Sequence, residues 1–401
     1  MTEQHADVIV IGGGPAGLTA GVALATTGAD VALLAPPPAG TDRRTAALMA
    51  GSVTALAALG VWQRCVEYAA PLRGIRIVDA TGRLIHAPEI LFRAEEIGLD
   101  AFAWNIENRR LTAALETQAA TLPNLRLIRD TAANIELTET AGHVRLAGGG
   151  GIAASLVVGA DGRNSLSRAA AGIGTRGWSY PQTALVCTLS HSRSHHDIST
   201  EFHTPAGPFT LVPLAPRRSS VVLVSTPQTA GELMALEDSA LSAEIERRAQ
   251  SMLGRMTVEP GRGTFPLAYE SALAFSGRRT MLVGEAAHLV PPIGAQGLNL
   301  GLRDAAAAAE CVADARRAGR DIGGREALSR YDAARRRDIG PRGTAIDWLN
   351  RSLLSDLLPV QAGRALGLGL LGRMAPLRRL VMREGVAPTA GQPRLMRGEP
   401  V

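Results

Sequence analysis

The sequence predicts an α/β fold with a parallel sheet at its base, an inserted β-rich lobe and a helical C-terminal segment. Three observations carry that prediction. The chain opens on apolar strand, glycine turn, apolar helix and second apolar strand. A middle stretch changes to short strands bounded by Pro and Ser, and the residues beyond about 340 read as helix punctuated by Gly and Pro. At 401 residues the chain is long enough for two lobes around a shared core.

Taken in order, Asp7 to Ile11 is a continuous apolar run, as expected of a strand buried on both faces. The Ala/Leu-rich stretch Pro15 to Thr27 reads as a helix closed by Gly28, and Asp30 to Leu34 as a second strand, which makes a βαβ unit. Pro36 to Gly40 breaks the chain into a loop. Thr45 to Leu59 and Arg109 to Ala119 read as helices, and Leu156 to Ala160 as a short buried strand. Between about Ala184 and Leu267 strands such as Pro208–Val212 and Ser220–Val224 predominate, interrupted by one helix from about Gly231 to Leu253. Thr280 to Val283 returns to the core sheet and Gly297 to Ala318 is helical.

Composition narrows the function classes. The chain is 46% hydrophobic and 20% charged, ordinary for a globular protein, with aromatic content of only 3%. All 42 basic residues are arginine. From Leu358 to Val401 there are seven arginines and two acids, a surplus equal to the whole formal charge of +5. A basic tail interleaved with Leu and Met suits an anionic lipid surface or an acidic partner, and equally a solvated helix face. No basic stripe interleaved with aromatics argues for nucleic acid. Cys65, Cys187 and Cys311 are far apart and free of CxxC spacing, which implies a reducing cytoplasm and no metal site. The N-terminus enters a strand at once, leaving no room for a signal peptide. No apolar run reaches the roughly 18 residues of a membrane span. Ala365 to Leu371 is short and flanked by Arg364 and Arg373, so membrane contact is expected to be peripheral, on the inner face of the cytoplasmic membrane.

Two segments carry chemistry. Gly12-Gly-Gly14-Pro15-Ala16-Gly17 fits G-x-G-x-x-G between strand and helix. Gly12 permits the tight turn, Gly14 close approach to a pyrophosphate, and Gly17 helix–strand packing, with the diphosphate on the helix N-terminus. The acid that usually ends the second strand and holds the adenosine ribose is missing, since the strand ends Leu34-Ala35-Pro36. Asp42 or backbone groups are the substitutes at hand. Arg43 and Arg44 are candidates for the adenosine half, or plain surface arginines. The second segment runs Gly284-Glu285-Ala-Ala-His288-Leu-Val-Pro291-Pro292-Ile-Gly294-Ala-Gln296-Gly297-Leu298-Asn299-Leu-Gly301-Leu-Arg-Asp304. Glu285 leaves a strand where it can bond a ribityl hydroxyl, and a helix beginning near Gly297 aims its N-terminus at the N1–C2 edge of a flavin. That dipole stabilises the negative charge of the reduced ring.

These segments resemble the class A flavoprotein monooxygenases, typified by para-hydroxybenzoate hydroxylase, and most of all the ubiquinone-biosynthesis hydroxylases of the UbiH/UbiF/COQ6 type. The resemblance covers nearly the whole chain. It includes Arg44 to Gln63, Ile106-Glu-Asn108-Arg109, the D-G-x-x-S-x-x-R match Asp161-Gly162-Arg-Asn-Ser165-Leu-Ser-Arg168, and Asp347-Trp-Leu-Asn-Arg351 with the tail through Met374 and Leu377 to Arg379. It implies a Rossmann-like FAD-binding domain over residues 1–70, 101–180 and 276–340, a β-rich substrate domain over 71–100 and 181–275, and a C-terminal helical segment over 341–401. It implies FAD, NADPH or NADH as co-substrate, and a C4a-hydroperoxyflavin that hydroxylates an electron-rich phenol. Pro292 is expected near the flavin C4a edge and Gln296 to Asn299 near the pyrimidine ring, while Asp161 and Gly162 belong to the pyrophosphate region. Glu285 stands where the class more often has Asp.

The substrate this resemblance implies is a hydrophobic, polyprenylated phenol on the route to ubiquinone, met at the membrane periphery or within a multi-enzyme assembly. The Tyr and Arg cluster that grips a carboxylate in the benzoate enzyme has no match, which argues against a simple benzoate. A soluble aromatic or natural-product hydroxylase is the alternative, and a non-catalytic flavin-fold escort for prenyl lipids a remote one. Absence of lysine disfavours a flavin halogenase. His288 borders the Pro-Pro loop and is a candidate for proton transfer, or else a packed, hydrogen-bonded histidine. His191, His195, His196 and His203 read as a polar loop, because no Cys or acid stands at ligand spacing.

Overall fold

A computed structural model describes residues 4–37, 42–82, 87–354, 358–386 and 391–401. Pro38 to Gly40 of the expected loop lie outside the described residues. Gln4–Ile11 pairs in parallel with Val31–Leu34 on one side and Gly151–Gly159 on the other. Leu125–Ile128 and Thr280–Leu282 extend the parallel sheet outward, and the hairpin Ala132–Leu137/Gly142–Leu146 joins it antiparallel. Val8, Ile9 and Val10 have no exposure, as the unbroken apolar run requires. Helices Pro15–Ala25 and Gln296–Arg317 pack together on one face. Their contact is close because Gly301 lies against Ala16 and Gly284, where a Cβ would crowd both.

A second, nine-stranded sheet forms the lobe. Thr175–His191 is its spine, flanked by Gly263–Ala272 and Arg218–Ser225, and the order continues through Gly207–Leu214, Ile198–Thr204, Gly74–Asp79 and Ile90–Arg93. One face is closed: Leu185, Cys187, Leu189, Phe209, Leu211, Val221 and Leu223 pack with Leu241 and Ile245 of a helix. A small third sheet, Thr45–Met49 with Ala103–Glu107 and Ala70–Leu72, bridges the two. Two elements run across the expected domain boundaries. Thr175–His191 runs through position 180 and the helix Arg325–Leu354 through position 340, with Pro341 inside it.

Three local expectations are corrected. Thr45–Met49 is a strand, and the helix expected from Thr45 begins only at Ala50. Its apolar Ala/Leu content suits either state, and antiparallel pairing with Ala103–Glu107 decides it. The single helix expected from Gly231 to Leu253 is two, Pro227–Ala235 and Asp238–Arg248. Leu236 and Glu237 turn extended, and Asp238 in the first turn of the second helix faces its positive end. The histidines expected in a polar loop are mostly inside strands or buried. His191 ends the spine strand and His203 lies in Ile198–Thr204, while His195 is buried and bonded to the Leu214 carbonyl at 3.0 Å. Among the described residues no three His, Cys, Asp or Glu side chains are grouped as a metal site would need.

Candidate active site

The glycine turn owes its shape to two positions. Gly12 has φ +132°, and a Cβ there would overlap the Ala160 carbonyl; a Cβ on Gly17 would overlap the Gly12 carbonyl. Gly14 differs, because no protein atom lies within 4 Å of where its Cβ would stand. It is the N-cap of Pro15–Ala25, has no side chain to accept from the first turn, and is followed by Pro15, so the free N–H groups face open space. That is a ready cradle for an anion.

The other motifs converge on this turn. Asp161, next to Ala160, accepts hydrogen bonds from Ser165 Oγ (2.5 Å) and from the Ser167 N–H (2.9 Å) and Oγ (3.0 Å), so its carboxylate ties the loop to the short helix Leu166–Ala170. Arg168 then donates to the Ala286 carbonyl at 2.9 Å, joining that loop to the Gly284–Ala286 turn. Gly162 has φ +78° and Gly284 φ +64°. Glu285 is exposed on the turn and near enough to Arg44 to raise its pKa by charge, although the Asp42 hydrogen bond contributes most.

Arg44 and Asn108 meet around Asp42, which accepts from Arg44 Nε (3.0 Å) and Nη2 (2.9 Å) and from Asn108 Nδ2 (3.1 Å). Burial by itself would raise the Asp42 carboxyl, but hydrogen bonds from Arg44 and Asn108 hold it below the usual carboxylate range. The Asn108 Oδ1 is buried and has no hydrogen-bond partner. Arg109 points elsewhere. Glu107 holds its guanidinium at 2.8 Å, in a cluster with Arg218 and Glu259.

The loop Pro291 to Ala295 stands over the start of Gln296–Arg317. Pro292, Gly294 and Gly297 are exposed, and Gln296 and Leu298 are half-buried. The helix has no side-chain cap, and Ala295 before it sits at φ +54°, a left-handed conformation that costs about 1–2 kcal/mol for a non-glycine residue. Asn299 holds this arrangement. Its Oδ1 accepts from the Met49 N–H (2.8 Å) and Ser52 Oγ (2.7 Å), and its Nδ2 donates to the Ala47 (2.8 Å) and Ala295 (2.6 Å) carbonyls. Asn299→Ala is expected to cost about 1–3 kcal/mol of stability by stranding buried partners, and to lower flavin retention on purification. Denaturant melting and the flavin-to-protein absorbance ratio check both.

His288 is buried beneath the loop. Its Nε2–H donates to Asp304 Oδ2 at 2.7 Å, and Asp304 also accepts from Arg335 Nε (2.6 Å) and the Gly284 N–H (2.9 Å). Arg335 reaches Asp338 at 2.8 Å, and Asp338 pairs in bidentate fashion with Arg303 at 2.7 and 2.9 Å. Burial would raise the Asp304 carboxyl, but Arg335 and His288 outweigh it and hold the group low. Sequence reading passed over this network. Asp304 was visible as the end of the motif, but Arg335 lies in a run of three arginines with nothing to single it out.

A cavity of about 210 Å³ opens in the lobe beside Arg76, His195 and His196, away from the converged motifs.

The arrangement can hold a dinucleotide on backbone amides and present a ring to a helix N-terminus. The family model described as FAD binding domain matches residues 5–340. p-Nitrophenol 4-monooxygenase PnpA from Pseudomonas putida DLL-E4 superposes with a TM-score of 0.79 over 96% of this chain and 98% of its own, at 19% identity, which shows a shared fold. The matched family model and the relatives named next make this a FAD-dependent aromatic-ring monooxygenase, the class that takes FAD as cofactor and NAD(P)H as co-substrate. The ubiquinone hydroxylase UbiL of Rhodospirillum rubrum is 36% identical over 411 aligned residues, spanning 100% of this chain and 94% of the relative. The 3-demethoxyubiquinol 3-hydroxylase of Escherichia coli is 30% identical over 396, spanning 96% and 99%. The chain belongs to the ubiquinone-hydroxylase family within that class.

Proposed function

We propose that this protein hydroxylates the aromatic ring of a polyprenylated phenol in ubiquinone biosynthesis. The observation that carries the reading is the second face of the lobe sheet, where Val222 packs against the small cluster of Tyr180, Ala184, Val224 and Leu267. Opposite the helix-packed side, Val186, Val222 and Thr210 stand cross-strand in one row, with Thr188 and Val212 beside them, all half-buried. Such a floor suits an apolar ring and chain better than a charged acid. A line of hydrogen bonds ties it to the flavin loop. Asn299 holds Met49 and Ala47, their strand pairs with Ala103–Glu107, and Asn105 Nδ2 donates to the Pro213 carbonyl (2.9 Å) and Ser220 Oγ (3.1 Å) of the lobe.

In this reading the FAD pyrophosphate lies at Gly14 on the amides of the Pro15–Ala25 helix, beside Asp161 and Gly162. Arg44, Asn108 and Glu285 serve the ribityl and pyrophosphate stretch, and the buried, unpartnered Asn108 Oδ1 is an acceptor for a hydroxyl there. Pro292, Gly294 and the residues Gln296 to Asn299 border the ring, with the uncapped helix end toward its most negative edge. When bound, FAD supplies hydride acceptance and oxygen activation. The chain orients the phenol on the lobe face and excludes water around the loop. His288 acts here as a positioning residue, since its ring is buried and its Nε2–H is held by Asp304, while Nδ1 is buried without a partner.

A mass-spectrometric quinone profile of a strain lacking the gene tests the reading. Lost ubiquinone with an accumulated under-hydroxylated prenylphenol is expected, and the accumulated species names the ring carbon. An unchanged profile in a strain with no redundant hydroxylase would point instead to a soluble aromatic substrate.

A further inference from the structure

Exposed large apolar side chains are concentrated in one stretch of the described chain. Leu366, Leu370, Met374, Leu377, Leu380 and Val381 are each 37–66% exposed, and all belong to the helices Leu358–Arg373 and Ala375–Val386 or the joint between them. Scattered apolar residues are normal on a surface, but a contiguous set marks a contact site. The second helix is anchored. Met382 is buried among Ile90, Phe92, Ala94 and Phe102 of the lobe, and Arg378 pairs with Glu96 while lying 5.1 Å over the Phe92 ring. With Arg378 and Met382 fixed inward, Leu377, Leu380 and Val381 are turned outward.

Charge decides the occupant. Beside the apolar set Arg373, Arg379 and Arg383 are exposed, and Glu384 is the one acid in either helix. The tail's surplus is partly spent elsewhere, since Arg394 is held by Asp314 at 2.6 Å and Arg397 by Glu399 at 2.6 Å. What remains is an apolar row edged by cations, the chemistry of an interfacial helix on anionic lipid. A second copy of this chain would bring arginines against arginines. No helix among the described residues is long and apolar enough to cross a membrane.

We infer that the helix pair Leu358–Arg373 and Ala375–Val386 docks this protein on an anionic lipid surface, with Leu377, Leu380 and Val381 entering the headgroup boundary and Arg379 and Arg383 meeting lipid phosphates. The inference does not depend on the substrate, because binding is read without turnover. The test is flotation of the full chain with FAD on vesicles of phosphatidylcholine and phosphatidylglycerol, against phosphatidylcholine alone. Flotation on the anionic vesicles only is expected, falling several-fold on raising salt from low to molar concentration. It should fall at least tenfold in Leu377→Glu/Leu380→Glu and in Arg379→Glu/Arg383→Glu, and persist in Arg379→Lys/Arg383→Lys. The substituted side chains are exposed, so flavin content and melting temperature serve as controls of folding and should not change. Equal flotation on neutral vesicles, no flotation, or flotation unaffected by the charge reversals would overturn the inference. So would a dimer that dissociates in Leu377→Glu/Leu380→Glu while vesicle binding is absent, which would make the face an interface between copies.

Discussion

Asp304→Asn is expected to destabilise the protein by about 3–5 kcal/mol, because it removes one of the two counter-charges of a buried cation. Asp304 has no exposure, and Arg335 beside it is 1% exposed. Arg335 keeps Asp338 at 2.8 Å, which places the loss toward the lower end of that range. The same substitution removes an acceptor from His288 Nε2 and from the Gly284 N–H, so the turn bearing Glu285 should loosen as well. Denaturant unfolding of the flavin-free protein measures the first effect, and flavin dissociation kinetics the second. Unchanged unfolding would mean that neutral packing replaces the charge at no cost.

The cluster also sets a pH dependence whose sign follows from linkage. Asp304 and Asp338 are both held below the ordinary carboxylate range: burial opposes this, but the neighbouring arginines, and for Asp304 also His288, prevail. A carboxyl with a lower pKa in the folded than the unfolded state contributes in full above its unfolded value, near 4, and loses that contribution as pH falls through the folded value. Stability should therefore decline below about pH 4, and Asp304→Asn should show a shallower decline.

The second large effect is a contrast within the glycine turn. Gly12→Ala is expected to abolish flavin binding and destabilise the fold by more than about 2 kcal/mol, since it adds overpacking to an unfavourable backbone conformation. The φ of +132° and the overlap with Ala160 leave the new methyl nowhere to go without moving the Asp161 loop. Gly14→Ala should behave differently. Its Cβ meets no protein atom within 4 Å, so the flavin-free protein should fold with near-normal stability while FAD affinity falls. Titration of each apoprotein with FAD, followed by flavin fluorescence, separates the two. Equal FAD affinity of Gly14→Ala and the parent would show that the pyrophosphate lies elsewhere.

Much of this was legible in the residues. The strand Gln4–Ile11, the glycine turn, the helix behind it and the long helix from Gln296 are local objects, set by apolar runs, glycine spacing and proline. Glycine positions also forecast their own roles, because Gly12 and Gly17 are required by the chain itself while Gly14 is open to a ligand. Where sequence reading failed, the deciding contact was distant. Thr45–Met49 is strand because Ala103–Glu107 lies beside it, and Asn299 spends its amide on Ala47, Met49 and Ser52, some 250 positions away.

The sequence by itself determined the fold class and the shape of the glycine turn, because each depends on backbone conformations that a short run of residues imposes. Tertiary structure alone decided that Asn105 ties the small sheet to the lobe, and that His288 is bound into a buried charge network through Asp304 to Arg335. A side chain's chemistry is readable from its letter. Its partner is not, because burial and hydrogen bonding are properties of what the fold brings within reach of it.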